Sequence, residues 1–126
     1  MSPKISLTDR EADVMQVLWQ HGSASVAETQ QYLADKLAYN TVLTVLRTLE
    51  AKNLVRHEEE GRGYRYFPSV KQRNARKSAL KHLTDKLFGG SLEQVITHLV
   101  ADEQLSSEQI ERMRALLKVN ADRGKK

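Results

Sequence analysis

Over the first half of the chain, apolar positions recur with a period close to that of an α-helix. Ala12, Met15, Val17, Leu18 and Trp19 make one set, and Val26, Ala27, Tyr32, Leu33 and Leu37 a second. Val42, Val45, Leu46 and Leu49 make a third, at i, i+3, i+4 and i+7. Two of these sets are preceded by capping boxes, Thr8-Asp-Arg-Glu11 and Ser25-Val-Ala-Glu28, in which Ser or Thr and the Glu three residues on close a helix start. Gly22 is placed to end the first helix. Asn53 is placed to end the third, because Asn accepts the left-handed backbone of a helix terminus. The period then changes. "LVRHE" and "YRYFP" are short runs of strand-type residues around "EEGRG", the pattern of a β-hairpin, and Pro68 closes the second run.

Beyond Ser69 the helical period returns. A basic helix over about 70–88 carries Ala79, Leu80, Leu83, Leu87 and Phe88, and Gly89-Gly90 breaks it. Ser91-Leu-Glu-Gln94 and Ser106-Ser-Glu-Gln109 are further capping boxes. They open helices with Leu92, Val95, Ile96, Leu99 and Val100, and with Ile110, Met113, Leu116 and Leu117. The tail "NADRGKK" reads as frayed. Three helices, a hairpin and three more helices predict a mainly α protein with a small β-hairpin. Residues 1–68 read as a winged helix-turn-helix domain that binds DNA, with its third helix in the major groove and its hairpin along the backbone. Residues 69–126 read as a helical dimerisation domain. Such a small unit has little core of its own, and a two-fold partner is the expected remedy. The expected interface is Leu87, Leu92, Val95, Ile96, Leu99, Val100, Ile110, Met113 and Leu117.

The outer face of the third helix carries the candidate chemistry. Asn40, Thr44, Arg47 and Ala51 lie opposite its apolar stripe, flanked by Thr41, Thr48 and Leu43. Solvent-facing helix positions usually hold Glu, Lys or Gln, whereas this face carries acid only on the Glu50 flank. Asn can bond adenine in bidentate fashion, Arg can bond guanine, and a Thr methyl can pack on thymine. Asn40, Thr41, Thr44, Arg47 and Thr48 are therefore the candidates for base readout. The hairpin carries Arg56, His57, Arg62 and Arg65, and the three arginines are the candidates for backbone phosphates. The bland readings are a Thr-rich solvated face and a charged turn, the latter favoured by Glu58-Glu59-Glu60. The hairpin directly after the helix weighs against the first.

Charge and composition narrow the field. The net charge is +4. The positive excess lies in "VKQRNARKSALKHLTDK", where Lys71, Arg73, Arg76, Lys77, Lys81 and Lys86 face Asp85 alone. That run suits a polyanion or a solvated face equally. No apolar run approaches the roughly 20 residues of a membrane span, and the start lacks a signal-peptide core, so a cytoplasmic protein without membrane insertion is expected. There is no cysteine, which excludes disulfides and thiolate metal sites. His21, His57, His82 and His98 form no metal-ligand spacing, and no catalytic arrangement or phosphate-cradling loop is present. Neither cofactor, metal nor enzymatic activity is expected. A protein-interaction module is the alternative, with the third helix in a partner's groove and the basic helix on an acidic partner.

"LTDREADVMQVLWQHGSASVAE", "YNTVLTVLRTLEAKNLV" and "GRGYRYFP" closely resemble the penicillinase-repressor family, the BlaI/MecI type of bacterial regulators. Leu18-Trp19, Asn40-Thr41-Val42 and Gly61-Arg62 are the most specific marks, and "FGG" with "LSSEQIERMRALL" resembles that family's dimerisation half. The resemblance implies a homodimeric repressor on a two-fold symmetric operator, controlling a resistance or stress operon. It also implies release when a membrane sensor protease, or a pathway that the sensor starts, cuts the dimerisation half. Two departures stand out. The copper-responsive branch binds metal through C-terminal cysteines, which this chain lacks. The β-lactam repressors are cut at an Asn-Phe pair, whose place here, counted back from Leu105-Ser106, is taken by His98-Leu99.

Overall fold

A computed structural model describes residues 5–102 and 105–124. The chain runs α1 (Asp9–His21), β1 (Ala24–Ser25), α2 (Val26–Tyr32), α3 (Tyr39–Ala51), β2 (Val55–Glu60), β3 (Gly63–Pro68), α4 (Gln72–Leu87), α5 (Leu92–Asp102) and α6 (Ser107–Gly124). It divides into two compact units, one up to His82 and one from Leu83. That division falls inside α4, later in the chain than the 68/69 boundary read from the sequence.

In the first unit the local signals act as the sequence predicts. At both capping boxes the Ser or Thr side chain accepts the N–H of the Glu, and the Glu carboxylate accepts the N–H of the cap residue. Gly22 ends α1 at φ 84°, its N–H donating to the Leu18 carbonyl at 2.8 Å. Asn53 ends the segment after α3 at φ 64°. Val14, Met15 and Leu18 from α1, Val26 and Leu33, and Val42, Leu46 and Leu49 from α3 close the core with Leu54, Val55 and Tyr66 of the hairpin. Val14 belongs to the centre of this core although the sequence reading omitted it. Ala27 and Tyr32, read as apolar-face residues, are exposed. Helix α2 ends at Tyr32, and that ring stacks on His21 with centroids 3.9 Å apart instead of entering the core.

β2 and β3 pair antiparallel, with Glu60 opposite Gly63 across the two-residue turn Gly61-Arg62. Gly61 has φ 60° and Arg62 does not share the positive sign, the pattern of a type II′ turn. The two-residue strand β1 joins the other side of β3, giving the order β1-β3-β2. This third strand is too short to leave an alternating pattern in the sequence. The start of α4 belongs to the first unit. Ala75 is buried, Ser78 exchanges hydrogen bonds with the Ile5 backbone at 2.9 and 3.2 Å, and Trp19 Nε1 donates to the Val70 carbonyl at 2.9 Å.

The second unit holds the end of α4 with α5 and α6. Gly89 and Gly90 turn the chain at φ 57° and 82°. Ser106 and Gln109 form a complete reciprocal cap, while Ser91 accepts the Gln94 N–H. Neither α5 nor α6 buries a single residue among those described. The expected frayed tail is instead helical through Gly124, and residues 125–126 lie outside the described residues.

Candidate nucleic-acid interface

Helix α3 is fixed from both ends. Helix α2 leads into it through Leu33, which is buried, and Gln30 Nε2 donates to the Leu37 carbonyl at 2.8 Å, bracing the turn between the helices. At the other end, Lys52 reaches the Glu11 carboxylate at 2.8 Å. Glu11 is buried, a placement that its role as an ordinary capping acid did not suggest. Burial alone pushes its carboxyl pKa up. The Lys52 ammonium and the Thr8 N–H outweigh that effect and hold it below the usual carboxylate range. The start of α1 is thereby bolted to the end of α3.

With Val42, Leu46 and Leu49 buried, Asn40, Thr41, Thr44, Arg47 and Thr48 all lie exposed on α3, as the helical period requires. Among the described residues Arg47 has no ion-pair partner. Thr44 donates its hydroxyl proton to the Asn40 carbonyl and Thr48 to the Thr44 carbonyl, each at 2.9 Å. Those bonds occupy the donors and leave methyl groups and oxygen lone pairs for an outside partner. No side chain caps the helix at Ala38, so its positive end stays open.

The hairpin's two faces differ. His57 and Tyr66 lie on the face toward α3, where His57 Nδ1 meets the Glu50 carboxylate at 2.6 and 2.8 Å. Tyr66 is buried, and its hydroxyl pKa is raised by burial first and by the Glu50 charge second. Arg56 and Arg65 alternate onto the opposite face. Arg56 lies over the Phe67 ring at 4.2 Å and pairs with Glu58 at 2.7 Å. Arg65 holds Glu60 at 2.9 Å and Glu28 at 2.8 Å, and Ser23 at 3.2 Å. Glu60, with Glu28 behind it, raises the Arg65 pKa against a desolvation that lowers it. The Ser25 N–H, aided by Arg65, lowers that of Glu28 despite desolvation. Among the described residues Arg56 and Arg65 have ion pairs, and Arg62, exposed in the turn, has none. Strand parity alone separates 56, 58 and 60 from 57, so the split between faces was available in the sequence.

The expected dimer residues Leu87, Leu92, Ile96, Leu99, Val100, Ile110, Met113 and Leu117 are exposed in the single chain, with Val95 half-buried. His98 and Leu99 stand in the middle of α5, His98 bonded to Asp102 at 2.9 Å. Among the described residues no three His, Asp or Glu side chains converge as a metal site would require, and no helix is long and apolar enough to cross a membrane.

The penicillinase repressor family model matches residues 7–119, nearly the whole of the chain. The chain belongs to the penicillinase repressor family. The penicillinase repressor of Bacillus licheniformis is 27% identical over 98% of this chain and 96% of its own length. The penicillinase repressor of Staphylococcus aureus is 25% identical over 90% and 92%. In three dimensions the chain is similar to the solution structure of the Bacillus licheniformis BlaI monomeric form in complex with the blaP half-operator. That match has a TM-score of 0.50 at 29% identity and covers 59% of this chain and 93% of that one. The winged-helix fold read from the sequence is the one this family shares.

Proposed function

We propose that this penicillinase repressor family member is a dimeric transcriptional repressor that holds a two-fold symmetric DNA operator. The observation that carries the proposal is the exposed face of α3, where Asn40, Thr41, Thr44, Arg47 and Thr48 present donors, acceptors and methyl groups next to a hairpin. The half-operator complex of the Bacillus licheniformis protein supports the same partner here. In this reading α3 enters the major groove, those five α3 side chains read base edges, and the hairpin meets phosphate. Arg62 is the principal backbone contact because it has no ion pair among the described residues. Arg56 and Arg65 contribute less, since Glu58, Glu60 and Glu28 already occupy them. The double-stranded operator is the DNA partner, and a second copy of the chain is the protein partner.

The dimer half follows from residues 83–126. Among the described residues most apolar side chains on α5 and α6 are exposed, and a second copy would cover them without a separate partner. Control of a resistance or stress operon, with release by a sensor or effector protease, completes the circuit that the family suggests. A cut at His98-Leu99 would divide α5 and uncouple the protomers while leaving the reading helix intact. Gel-shift titration against salt tests the DNA contact, since binding through phosphates weakens steeply as counterions are added. Binding indifferent to salt would overturn it. Intact protein in fully derepressed cells, read by mass spectrometry, would exclude the cleavage route.

A further inference from the structure

The flank of α3 nearest the hairpin carries Glu50, an anion on the side of the helix next to the proposed DNA-reading face. On the helical wheel it lies between the candidate reading residue Arg47 and the buried stripe. Its carboxylate is not bare. His57 Nδ1, from β2, meets both oxygens, at 2.8 and 2.6 Å. The imidazole is fixed by its other neighbours as well, with Tyr64 edge-on at 4.8 Å and Tyr66 tilted at 5.6 Å. It is also partly open to solvent, as is Glu50. Among the described residues the Nε2 atom of His57 makes no hydrogen bond.

We infer that Glu50 and His57 form a proton-linked affinity determinant for DNA, in which binding draws a proton onto the pair. The chemistry follows from the two protonation states. When the ring is neutral, its one N–H donates to Glu50, the pair carries one negative charge, and Nε2 presents a lone pair. Both features oppose a phosphate. When the ring is protonated, the pair is neutral and Nε2–H becomes a donor that a phosphate oxygen can accept. A polyanion beside the pair therefore favours the protonated state, and by linkage the protonated state favours the polyanion. The groups facing His57 are Glu50 from α3, Tyr64 and Tyr66 from β3, and Glu59 on its own face of β2, with the Arg47 charge acting on Tyr66. Arg56 and Glu58 pair with each other on the opposite face. Glu50 is the only one of these in hydrogen-bond contact with the ring.

The inference rests on the DNA-binding reading, and one experiment separates the two. Sites are first selected from random duplex DNA, and the recovered duplex is titrated at low salt between pH 6 and pH 8. The wild type should bind about threefold to tenfold more tightly at pH 6, the scale expected of one charge near several phosphates. His57→Gln keeps a donor for Glu50 but cannot titrate, so its affinity should lose that dependence. This variant also controls for His21 and His82, which it leaves in place. Glu50→Gln keeps an acceptor for Nδ1–H and removes the charge, so it should bind more tightly than wild type at pH 8. A His57→Gln protein with the full wild-type pH dependence, or a Glu50→Gln protein that binds more weakly at pH 8, would overturn the inference while leaving the DNA reading standing. Selection that enriches no duplex at either pH would overturn both.

Discussion

The two units of this chain use apolar residues in opposite ways. Up to His82, the residues Val14, Met15, Leu18, Val42, Leu46 and Leu49 are wholly removed from solvent, drawn from two helices that also pack on the hairpin. From Leu83 onward the apolar residues are as regularly spaced, yet Leu87 is 72% exposed and Leu116 70%. Periodicity therefore reports which face of a helix is apolar but not what covers it. In the first unit the cover is the chain itself. In the second the proposed dimer would supply it, a second copy being the economical source.

Leu99→Asp should separate the units most sharply. A charge placed without a partner in the proposed interface costs about 3–5 kcal/mol, so sedimentation should find a monomer. Operator affinity should fall by about 10²–10⁴, because two half-sites are no longer held by one tethered pair. A mutant that remains dimeric would place the interface elsewhere. Leu46→Ala should do the reverse, costing about 2–5 kcal/mol of stability in the first unit through a core cavity, with the dimer retained. Loss of association in Leu46→Ala would show that the units do not stand apart.

Arg47→Ala should relax base preference at one position, at a cost of about 1–3 kcal/mol there. Arg62→Ala should weaken all sequences alike and flatten the salt slope by about one unit. A preference altered by Arg62→Ala and unaltered by Arg47→Ala would exchange the roles of helix and hairpin. The smallest effect is expected at Glu11, whose buried carboxylate ties α1 to Lys52. Its pKa is lowered in the folded state, so its contribution is present above the ordinary carboxylate range and is lost as pH falls through the folded value. Glu11→Gln should cost about 1 kcal/mol near neutral pH, limited by the partly exposed Lys52, and should make the acid loss of stability shallower. Acid melting curves of equal steepness would contradict it.

Much of this architecture was legible because it is local. Thr8 with Glu11 and Ser25 with Glu28 act within one turn, Gly22 and Asn53 mark helix ends by backbone freedom, and Gly61-Arg62 sets the hairpin. The exposure of Asn40, Thr44 and Arg47 follows from the same period that buries Val42 and Leu46. What escaped the sequence reading depends on distant pairs. Glu11 with Lys52, Glu50 with His57, and Arg65 with Glu28 are each joined by the packing of separate elements. The end of α2 escaped for another reason, since Tyr32 continues the apolar period but finds His21 at the surface.

Selection from random duplex DNA tests the central claim most directly, because it asks for the site without presuming its sequence. One reading helix per protomer and a two-fold pair of protomers predict enriched sites that are palindromic, with half-sites about one helical turn apart. Enrichment of single or asymmetric half-sites alone, or of no sequence at all, would contradict a dimeric repressor that reads DNA through α3.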